Sequence, residues 1–583
     1  MRIDSMDMIC SVPAMKTPKL WGTLHSFYAQ GSVLGRTVAN RDFLRAFLRK
    51  ASAENWFDGF HFFLPGRDDI QRLKERLQRE FPELDREERF SFYMVRELPE
   101  ALASTEYHCF HLSDPFSLFT ELIRVRNRYS KVIFPVTAPT HSLSYKEYGE
   151  SFLQHMWPGI SGRDTVIATS RCGEAVVSNF YAALRQQYGL APDAFPSPAL
   201  SVVPLGVIPE HFPTPDERGL AGDNDENLRC TARKSLEFRD DEVVFLTLAR
   251  ISYYSKMDLL PLLHAFKRAE AEGLEPTKYR FLLAGWENES DTAGSDIERF
   301  CAQLGIPLTV VRRPDDVMRK SLYAAADVFV SPVDNLQETF GLTMLEAAVS
   351  SLPVIASDFD GYKDLVRHEE TGILIPTLGP DGTADTNTRS AVATAAEYHL
   401  RLAQQCVVNV KALGLALARL GLDASLRAGM GRAGRKMALS YTWENIITRY
   451  MALWDSLAEK PLLPGEEERL RQSVHPCEVN YGRIFADYYS SRIQDMACGD
   501  VKIQWSKRGE AVYRGRDFPV IYTLMENSFS LEAVKRLLFS LRKPLPLATG
   551  RETAAELTQE YGIPGDNDIL LLWALKHDLL EFV

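Results

Sequence analysis

Cysteine is scarce in this chain: its eight cysteines are scattered over 583 residues, and no two form a Cys-X-X-Cys pair. Zinc sites usually draw their ligands from such close pairs, and small secreted domains carry a denser disulfide framework. The spacing therefore predicts neither a metal cluster nor disulfide bonds. Free thiols suit a reducing compartment, so we expect a cytoplasmic protein.

Long apolar runs and an excess of positive charge are also missing. No stretch of about 18 apolar residues occurs, so the sequence predicts no membrane-spanning helix. The first 16 residues include Asp4 and Asp7 and do not resemble a secretion signal. Lys and Arg number 67 against 78 Asp and Glu, a formal net charge of −11. Because nucleic acids and anionic membranes attract cationic surfaces, this balance favours neither as a partner.

The composition is that of a globular protein, with 45% hydrophobic and 25% charged residues, in a chain too long for one core. Two series of short apolar runs alternate with amphipathic segments, and a polar stretch at 213–227 separates them. This alternation predicts two α/β domains with parallel sheets covered by helices. The candidate strands are 20–27, 59–64, 107–112, 131–136, 165–169 and 200–203 in the first series, and 243–248, 280–284, 308–311, 327–331, 353–357 and 372–375 in the second.

A Pro- and Glu-rich stretch at 461–468 introduces a third region, which we place at 461–583. Its short helical segments predict a small, mainly helical domain. A winged-helix-like fold is one arrangement that these segments could form. Such a module could bind a protein or peptide partner, or it could only pack against the two α/β domains.

The densest site signal lies between Ala326 and Glu346. A β-branched strand ends at Ser331, a loop follows, and a helix is predicted to begin at Gly341. Glycine lets the backbone approach a ligand closely, and the free N–H groups of a first helical turn suit an anion. Ligands of open α/β sheets bind beyond the carboxyl ends of the strands, which is where this loop falls.

Two carboxylates flank this turn. Glu346 falls in the second helical turn and leans towards the helix N-terminus, where it can accept hydrogen bonds from ribose hydroxyls. Glu338 precedes the helix, on the side where a sugar would extend. The pattern predicts a nucleotide-sugar site. The alternative is that Glu338 is a solvated loop residue and Glu346 lies on an exposed helix face.

Arg250 and Lys256 follow another apolar strand, at 244–248. A guanidinium fork and a mobile ammonium group can together neutralise a departing diphosphate, although surface ion pairing would also explain them. Gly285 ends a third strand and permits either close approach to a ligand or an ordinary turn. Arg312 lies in the segment 310–314 that we expect near the base, where it is equally compatible with solvation.

Three glycines, Gly429, Gly431 and Gly434, match the dinucleotide fingerprint Gly-X-Gly-X-X-Gly. They follow a predicted helix rather than a strand, and no acidic residue about 20 positions later ends a second strand. We therefore predict no dinucleotide site here.

Four segments occur in a characteristic order: Glu338-Thr-Phe-Gly-Leu-Thr-Met-Leu-Glu346, Leu352-Pro-Val-Ile-Ala-Ser, Gly361-Tyr-Lys-Asp-Leu-Val and Thr371-Gly-Ile-Leu-Ile-Pro. Together they resemble the retaining GT-B glycosyltransferases of family four, over about residues 20 to 457. The resemblance implies two doubly wound Rossmann-like lobes facing a cleft: an acceptor-side lobe at 1–205 and a donor-side lobe at 206–440. It also implies a helix at 441–460 that returns to the first lobe.

The resemblance implies transfer of a sugar, with retention of anomeric configuration, from a nucleoside-diphosphate donor. No metal or other cofactor is expected, and the acceptor could be a glycan, a lipid-linked saccharide, a small molecule or a peptide. In this family the second glutamate holds the ribose and the first contacts the donor sugar, roles that fall to Glu346 and Glu338. The backbone amides assigned to the phosphates belong to Phe340, Gly341, Leu342 and Thr343.

Two first-lobe assignments also come from the resemblance. Gly31 and Ser32 resemble a loop that closes on the donor phosphates, with Ser32 in place of the commoner glycine. His141 resembles a histidine facing the donor sugar and acceptor, although a structural role would also explain it. Met257 replaces the glycine that usually follows the lysine. A nucleotide-sugar epimerase on the same fold, or a binding platform without catalysis, remain as alternative functions.

Overall fold

The apolar runs of the first 200 residues form one parallel sheet. The structure is a computed structural model that describes residues 18–28, 35–219, 227–287, 292–522, 525 and 529–583. The sheet has seven strands in the order β3-β2-β1-β4-β5-β6-β7. Strands β1, β5 and β6 are buried at every position, as expected of a parallel sheet covered on both faces. The strands are β1 (Leu20–Thr23), β2 (Gly59–Leu64), β3 (Phe90–Met94), β4 (Cys109–His111), β5 (Val136–Pro139), β6 (Thr165–Ala168) and β7 (Ala199–Val202).

Amphipathic segments between these strands form the covering helices of the first lobe. In α1, a stripe of apolar residues that includes Phe43 and Phe47 is buried against the sheet. The helices are α1 (Gly35–Ala53), α2 (Arg67–Glu80), α3 (Pro82–Arg86), α4 (Leu98–Ser104), α5 (Phe119–Tyr129), α6 (Tyr148–Gln154) and α7 (Arg171–Tyr188).

The second series of apolar runs forms a six-stranded parallel sheet in the order β10-β9-β8-β11-β12-β13. A two-stranded antiparallel ribbon follows this sheet in the chain and consists of β14 and β15. The strands are β8 (Val243–Arg250), β9 (Tyr279–Trp286), β10 (Leu308–Arg312), β11 (Val328–Ser331), β12 (Val354–Ser357), β13 (Gly372–Ile375), β14 (Thr377–Leu378) and β15 (Val407–Val408). The helices are α8 (Leu228–Ser235), α9 (Leu260–Ala271), α10 (Ala293–Leu304), α11 (Asp316–Ala325), α12 (Leu342–Val349), α13 (Tyr362–Leu365), α14 (Ala384–Ser390), α15 (Ala395–Ala403), α16 (Val410–Leu422) and α17 (Ala424–Ala438).

Both sheets are doubly wound, and this confirms the predicted fold class of two Rossmann-like lobes in the GT-B arrangement. Strand order reverses between β1 and β4 in the first lobe and between β8 and β11 in the second. A crevice opens at such a switch point, beyond the carboxyl ends of the strands, and ligands of open α/β sheets bind there. In the second lobe the residues at this point are Arg250 at the end of β8 and the loop after Ser331.

The helix α18 (Trp443–Glu459) follows the second lobe in sequence but packs on the first. The Trp454 Nε1–H donates to Thr137 Oγ1 of β5 at 2.9 Å, and the Tyr450 ring lies 5.0 Å from Phe43 of α1. The Gly-X-Gly-X-X-Gly segment lies inside α17, where a Cβ on Gly431 would come 2.2 Å from the Ser351 carbonyl oxygen. That glycine therefore serves close packing of the helix.

The chain divides into two compact units, residues 1–477 and 478–583, so the second unit begins later than the predicted 461. Residues 461–477, with α19 (Glu466–Gln472), pack on the first lobe instead. The Arg471 guanidinium donates to the Asn127 carbonyl at 3.1 Å, and Arg469 donates to the Ile160 carbonyl at 3.2 Å. These arginines satisfy loop carbonyls of the first lobe, which a composition break cannot reveal.

The second unit has a three-stranded antiparallel sheet, in the order β17-β16-β18, beside a helical core. Its elements are α20 (Tyr481–Ile484), α21 (Ile493–Ala497), β16 (Lys502–Trp505), α22 (Lys507–Tyr513), α23 (Leu531–Ser540), β17 (Leu545–Pro546), α24 (Leu547–Glu560), α25 (Ile569–Lys576) and β18 (Leu580–Phe582). Among the described residues, no helix combines the length and the apolar character needed to cross a membrane.

Candidate active site

A cleft of about 400 Å³ opens at the switch point of the second sheet, between the two lobes. Its walls carry charged, aromatic and small residues from both lobes. The second lobe contributes Arg250, Lys256, Arg319, Gln337, Glu338, Phe340, Gly341, Leu342, Thr343 and Glu346, and the first lobe contributes Arg36, His141, Ser142, Tyr145 and Tyr148. Most of the residues that the sequence assigned to the site therefore face one cavity.

The turn at Gly341 requires glycine for two reasons. Its φ of +95° lies in the left-handed region, which side chains other than glycine rarely adopt. A Cβ at this position would also come 2.3 Å from the ring of Tyr362. Helix α12 begins at the next residue, so its first-turn amides lie at the cleft, where an anion is stabilised.

Glu338 is held as a carboxylate in front of this turn. Its Oε2 is paired with Lys256 Nζ, and its Oε1 accepts the backbone N–H groups of Thr339 at 3.2 Å and Phe340 at 3.3 Å. Burial acts to raise the pKa of Glu338, but the Lys256 ammonium and these amides outweigh it and hold the pKa below its ordinary value. The Tyr362 hydroxyl lies 3.4 Å from Glu338 Oε2 and 2.8 Å from Ser331 Oγ. It therefore gives the carboxylate one further contact and is itself held by Ser331.

Lys256 lies in a loop that the Glu338 loop holds on both sides. Asn335 Nδ2 donates to the Tyr254 carbonyl at 2.9 Å, and the backbone N–H of Asp258 donates to Asp334 at 3.2 Å. Met257, which stands where the family usually has glycine, is buried in the core. The larger side chain thus anchors the loop and leaves the lysine at the cleft.

Glu346 is only 11% exposed, which excludes the alternative of an exposed helix face. Its Oε1 accepts from Arg319 Nη2 at 2.8 Å, and its Oε2 accepts from the Tyr323 hydroxyl at 2.7 Å. Both partners come from α11, and neither belongs to the motif that predicts the site. The signal that could have found Arg319 is its place in the helix after β10, beside the same carboxyl edge of the sheet.

His141 forms part of the first-lobe wall, two residues after β5. Its Nε2 lies 3.0 Å from the carbonyl oxygen of Ser113, the residue whose N–H donates to His25 at 2.9 Å. Burial lowers the pKa of His141 to about 4, so the ring is neutral near pH 7. A neutral imidazole donating to this carbonyl keeps its other nitrogen as a hydrogen-bond acceptor.

Residues 242–389 match the family model of the glycosyl transferases group 1. The matched residues lie within the second lobe. The matched region contains the Arg250, Lys256, Glu338 and Glu346 positions and the Gly341 turn, so the family match and the cleft coincide.

Curated relatives match over part of their length. An uncharacterized glycosyltransferase of Methanocaldococcus jannaschii is 32% identical over 155 residues, 26% of this chain and 36% of that protein. The D-inositol 3-phosphate glycosyltransferase of Stackebrandtia nassauensis is 28% identical over 248 residues, 42% of this chain and 51% of that protein. The chain thus spans between about a third and a half of the length of these relatives.

Solved structures with a similar chain course include HepE of Anabaena in complex with UDP, at 14% identity and a TM-score of 0.48. That match covers 76% of this chain and 100% of the other. A glycosyltransferase from Rickettsia africae has 13% identity and a TM-score of 0.49, covering 77% of this chain and 100% of the other.

Two residues assigned from the sequence lie away from the walls of the cleft. Gly285 lies within β9, and a Cβ on it would come 1.6 Å from the Ala249 carbonyl oxygen, so the close approach is that of the neighbouring strand β8. Arg312 is paired with Glu298 at 3.1 Å and is 46% exposed, in agreement with the solvated alternative. Gly31 and Ser32 lie outside the described residues.

Asp334, which accepts from the backbone beside Lys256, is expected to make the free energy of unfolding depend on pH. Burial raises the pKa of Asp334 to about 8, from an ordinary value of 3.8. Between these values the folded protein holds a proton that the unfolded chain releases, so stability falls by about 1.4 kcal/mol for each pH unit gained. Asp334→Asn keeps an oxygen for the Asp258 N–H but cannot ionise. We therefore expect the variant to gain stability over wild type as pH rises from about 5 to about 8.

Melting temperatures of both proteins across this pH range measure the effect. The exposed loop residue Asp381 provides the matched control, since Asp381→Asn should show a constant difference from wild type. A constant difference for Asp334→Asn as well would contradict the prediction.

Proposed function

We propose that this protein is a retaining glycosyltransferase that moves a sugar from a nucleoside diphosphate to an acceptor bound by the first lobe. The observation that carries the proposal is one cleft in which Arg250, Lys256, Glu338, Glu346 and the Gly341 turn meet at the switch point of the second sheet. The match of residues 242–389 to the glycosyl transferases group 1 supports it.

The donor would lie along the second lobe. The diphosphate meets the first-turn amides of α12 together with Arg250 and Lys256, and the ribose hydroxyls donate to the Glu346 carboxylate. Arg319 and Tyr323 hold that carboxylate in place, so its orientation needs no rearrangement when the nucleotide binds. Positive groups fixed around a departing diphosphate stabilise the charge that develops on it.

In the proposed step an acceptor hydroxyl attacks the anomeric carbon on the face that the diphosphate leaves. The bond from the anomeric carbon to the phosphate oxygen breaks, the bond to the acceptor oxygen forms, and the acceptor proton passes to the departing phosphate. Glu338 is tied to Lys256 and two backbone amides, which makes it a weak nucleophile and favours a role in positioning the donor sugar.

The acceptor side carries a guanidinium group beside two phenol rings, from Arg36, Tyr145 and Tyr148. Such a wall suits a hydroxylated ring that bears an anionic group. Several relatives are named D-inositol 3-phosphate glycosyltransferases, and this supports testing phosphorylated polyols first among the acceptors.

Nucleotide binding tests the donor site. A nucleotide at 100 times its dissociation constant adds about 2.7 kcal/mol of stability, so one of UDP, GDP, ADP or CMP should raise the melting temperature clearly. Glu346→Gln should weaken that nucleotide by about tenfold, because the charged acceptor for the ribose hydroxyls is lost. The exposed Glu272 on the same lobe gives the control variant Glu272→Gln, which should bind as wild type does.

Equal nucleotide affinity in Glu346→Gln and wild type would remove the ribose assignment. Incubation with the matching nucleotide sugar then separates the functions. A transferase forms a new glycoside with retained anomeric configuration, visible by proton NMR. Conversion of the donor without an acceptor would indicate an epimerase, and no turnover with any acceptor would favour a binding platform.

A further inference from the structure

A buried histidine outside the cleft joins the two lobes. His399 lies on α15 of the second lobe and is 2% exposed. Its Nε2 lies 3.1 Å from the carbonyl oxygen of Ser144 in the first lobe and 3.2 Å from the Ser144 hydroxyl. Its Nδ1 lies 2.7 Å from Nε2 of Gln337. A neutral ring fits these contacts: Nε2–H donates to the carbonyl, and Nδ1 accepts from the amide.

The residues that His399 contacts lead directly to the cleft. Gln337 lines the cleft and precedes Glu338, and its carbonyl oxygen accepts the Ser142 hydroxyl at 3.0 Å. Ser142 follows His141 on the first-lobe wall. One hydrogen-bonded set thus spans the two lobes and consists of Ser142, Ser144, Gln337 and His399.

The Glu338 loop is also attached to the first lobe on its other side. The Ser170 hydroxyl donates to the Thr339 carbonyl at 2.8 Å. The two carbonyls flanking Glu338 in sequence, those of Gln337 and Thr339, are thus both bonded to first-lobe serines. A carboxylate loop held at two points by the opposite lobe takes its position from that lobe as well as from its own sheet.

We propose that His399 is a positioning residue, which holds Gln337, and through it Glu338, in register with the first-lobe wall around His141. Leu402 and Ala403 supply the buried apolar face of helix α15, so packing of this helix does not require an imidazole at position 399. The ring nitrogens instead bond to one group on each lobe, and the Tyr145 ring of the cleft wall packs edge-on against the imidazole at 5.3 Å. The consequence for turnover rests on the proposed function, whereas the coupling of the two segments does not.

Hydrogen–deuterium exchange of the whole protein without ligand tests the coupling. In His399→Ala the backbone amides of 337–343 and 141–145 should exchange at least about tenfold faster, while those of β8 and β9 stay unchanged. His399→Gln should restore part of the protection, because its amide N–H can donate to the Ser144 carbonyl and its amide oxygen can accept from Gln337, although the flexible side chain is held less firmly than the imidazole ring. The exposed His264 on α9 supplies the control His264→Ala, which should leave both segments as in wild type.

Nucleotide binding and turnover test the positioning role. The affinity of His399→Ala for UDP, or for whichever of the four nucleotides wild type binds, should stay within about twofold, because Arg250, Lys256 and Glu346, which are proposed to hold the nucleotide, all lie on the second lobe and make no contact with His399. Turnover of the matching nucleotide sugar should fall by at least about tenfold.

Unchanged exchange at both segments would overturn the proposal. Faster exchange across the second-lobe strands with loss of nucleotide affinity would also overturn it, because His399 would then only support folding of that lobe. If wild type binds none of the nucleotides, the proposed function fails, and the exchange experiment still decides the coupling.

Discussion

Glu338→Ala is expected to lower turnover of the nucleotide-sugar donor by about 10²–10³-fold, the range found when one preorganised polar group is removed from an active site. The carboxylate bonds to the Lys256 ammonium and to the Thr339 and Phe340 amides, so its loss frees both the cation and the turn before α12. Steady-state rates of donor consumption by the variant and wild type measure the effect.

The pH profile distinguishes this loss from simple unfolding. Burial acts to lower the pKa of Lys256, but the Glu338 carboxylate outweighs it and keeps the pKa above its ordinary value. Without Glu338 the largest influence that raises the pKa of Lys256 is lost. The pKa of Lys256 therefore falls, and the variant should lose residual activity as pH rises, through a range where wild type stays protonated. Glu338→Gln is the matched variant, since its amide oxygen can still accept the two backbone N–H groups. Activity of Glu338→Ala within about threefold of wild type would contradict the assignment.

Asp164→Ala is expected to lower the free energy of unfolding by about 3–5 kcal/mol, the largest stability effect among these predictions. Asp164 and Arg126 are fully buried in the first lobe. The carboxylate accepts hydrogen bonds from the two terminal nitrogens of the guanidinium, with N···O distances of 2.5 and 3.0 Å. Its Oδ2 also accepts the backbone N–H of Ser161 at 2.9 Å. Alanine leaves a buried guanidinium without its counter-charge, which costs far more than the pair contributes.

Urea unfolding followed by tryptophan fluorescence measures this change. Replacing both partners, as Arg126→Met with Asp164→Leu, should recover much of the loss, because no buried charge then stays unpaired. The exposed pair Arg72–Asp69 provides the control, where Asp69→Ala should cost less than about 1 kcal/mol. A cost of that small size at Asp164 would show that water reaches the guanidinium in the variant.

The parallel strands that lie inside each sheet are the part of the fold that the sequence predicts best. Strand β2, for example, has its predicted bounds, because a parallel strand covered on both faces is a continuous apolar run. Strand β3 was not predicted: it is an edge strand with every position half-buried, so its apolar signal is weaker. The strand predicted at 131–136 begins only at Val136. The carbonyls of Ile133 and Phe134 instead accept from the side chains of Arg163 and Arg126.

The candidate site divides along the same line. Gly341, Glu338 and Glu346 lie within one segment of nine residues, so their relation follows from a single strand–loop–helix unit. Arg319 and Tyr362 touch that segment from other elements, and no spacing in the sequence joins them to it. Gly285 shows the opposite error, because a glycine at a strand end signals close approach without saying which neighbour approaches.

The sequence by itself determined the two Rossmann-like lobes and the strand–loop–helix unit that carries Glu338 and Glu346, because these depend on apolar periodicity and on conformations of residues close in the chain. Only the tertiary structure decided which cations meet those carboxylates, which charges are buried and how the lobes are joined through His399. Those properties depend on contacts between residues far apart in the chain: Lys256 and Glu338 are 82 positions apart, and Ser144 and His399 are 255. Desolvation acts on such groups only after the chain has folded around them.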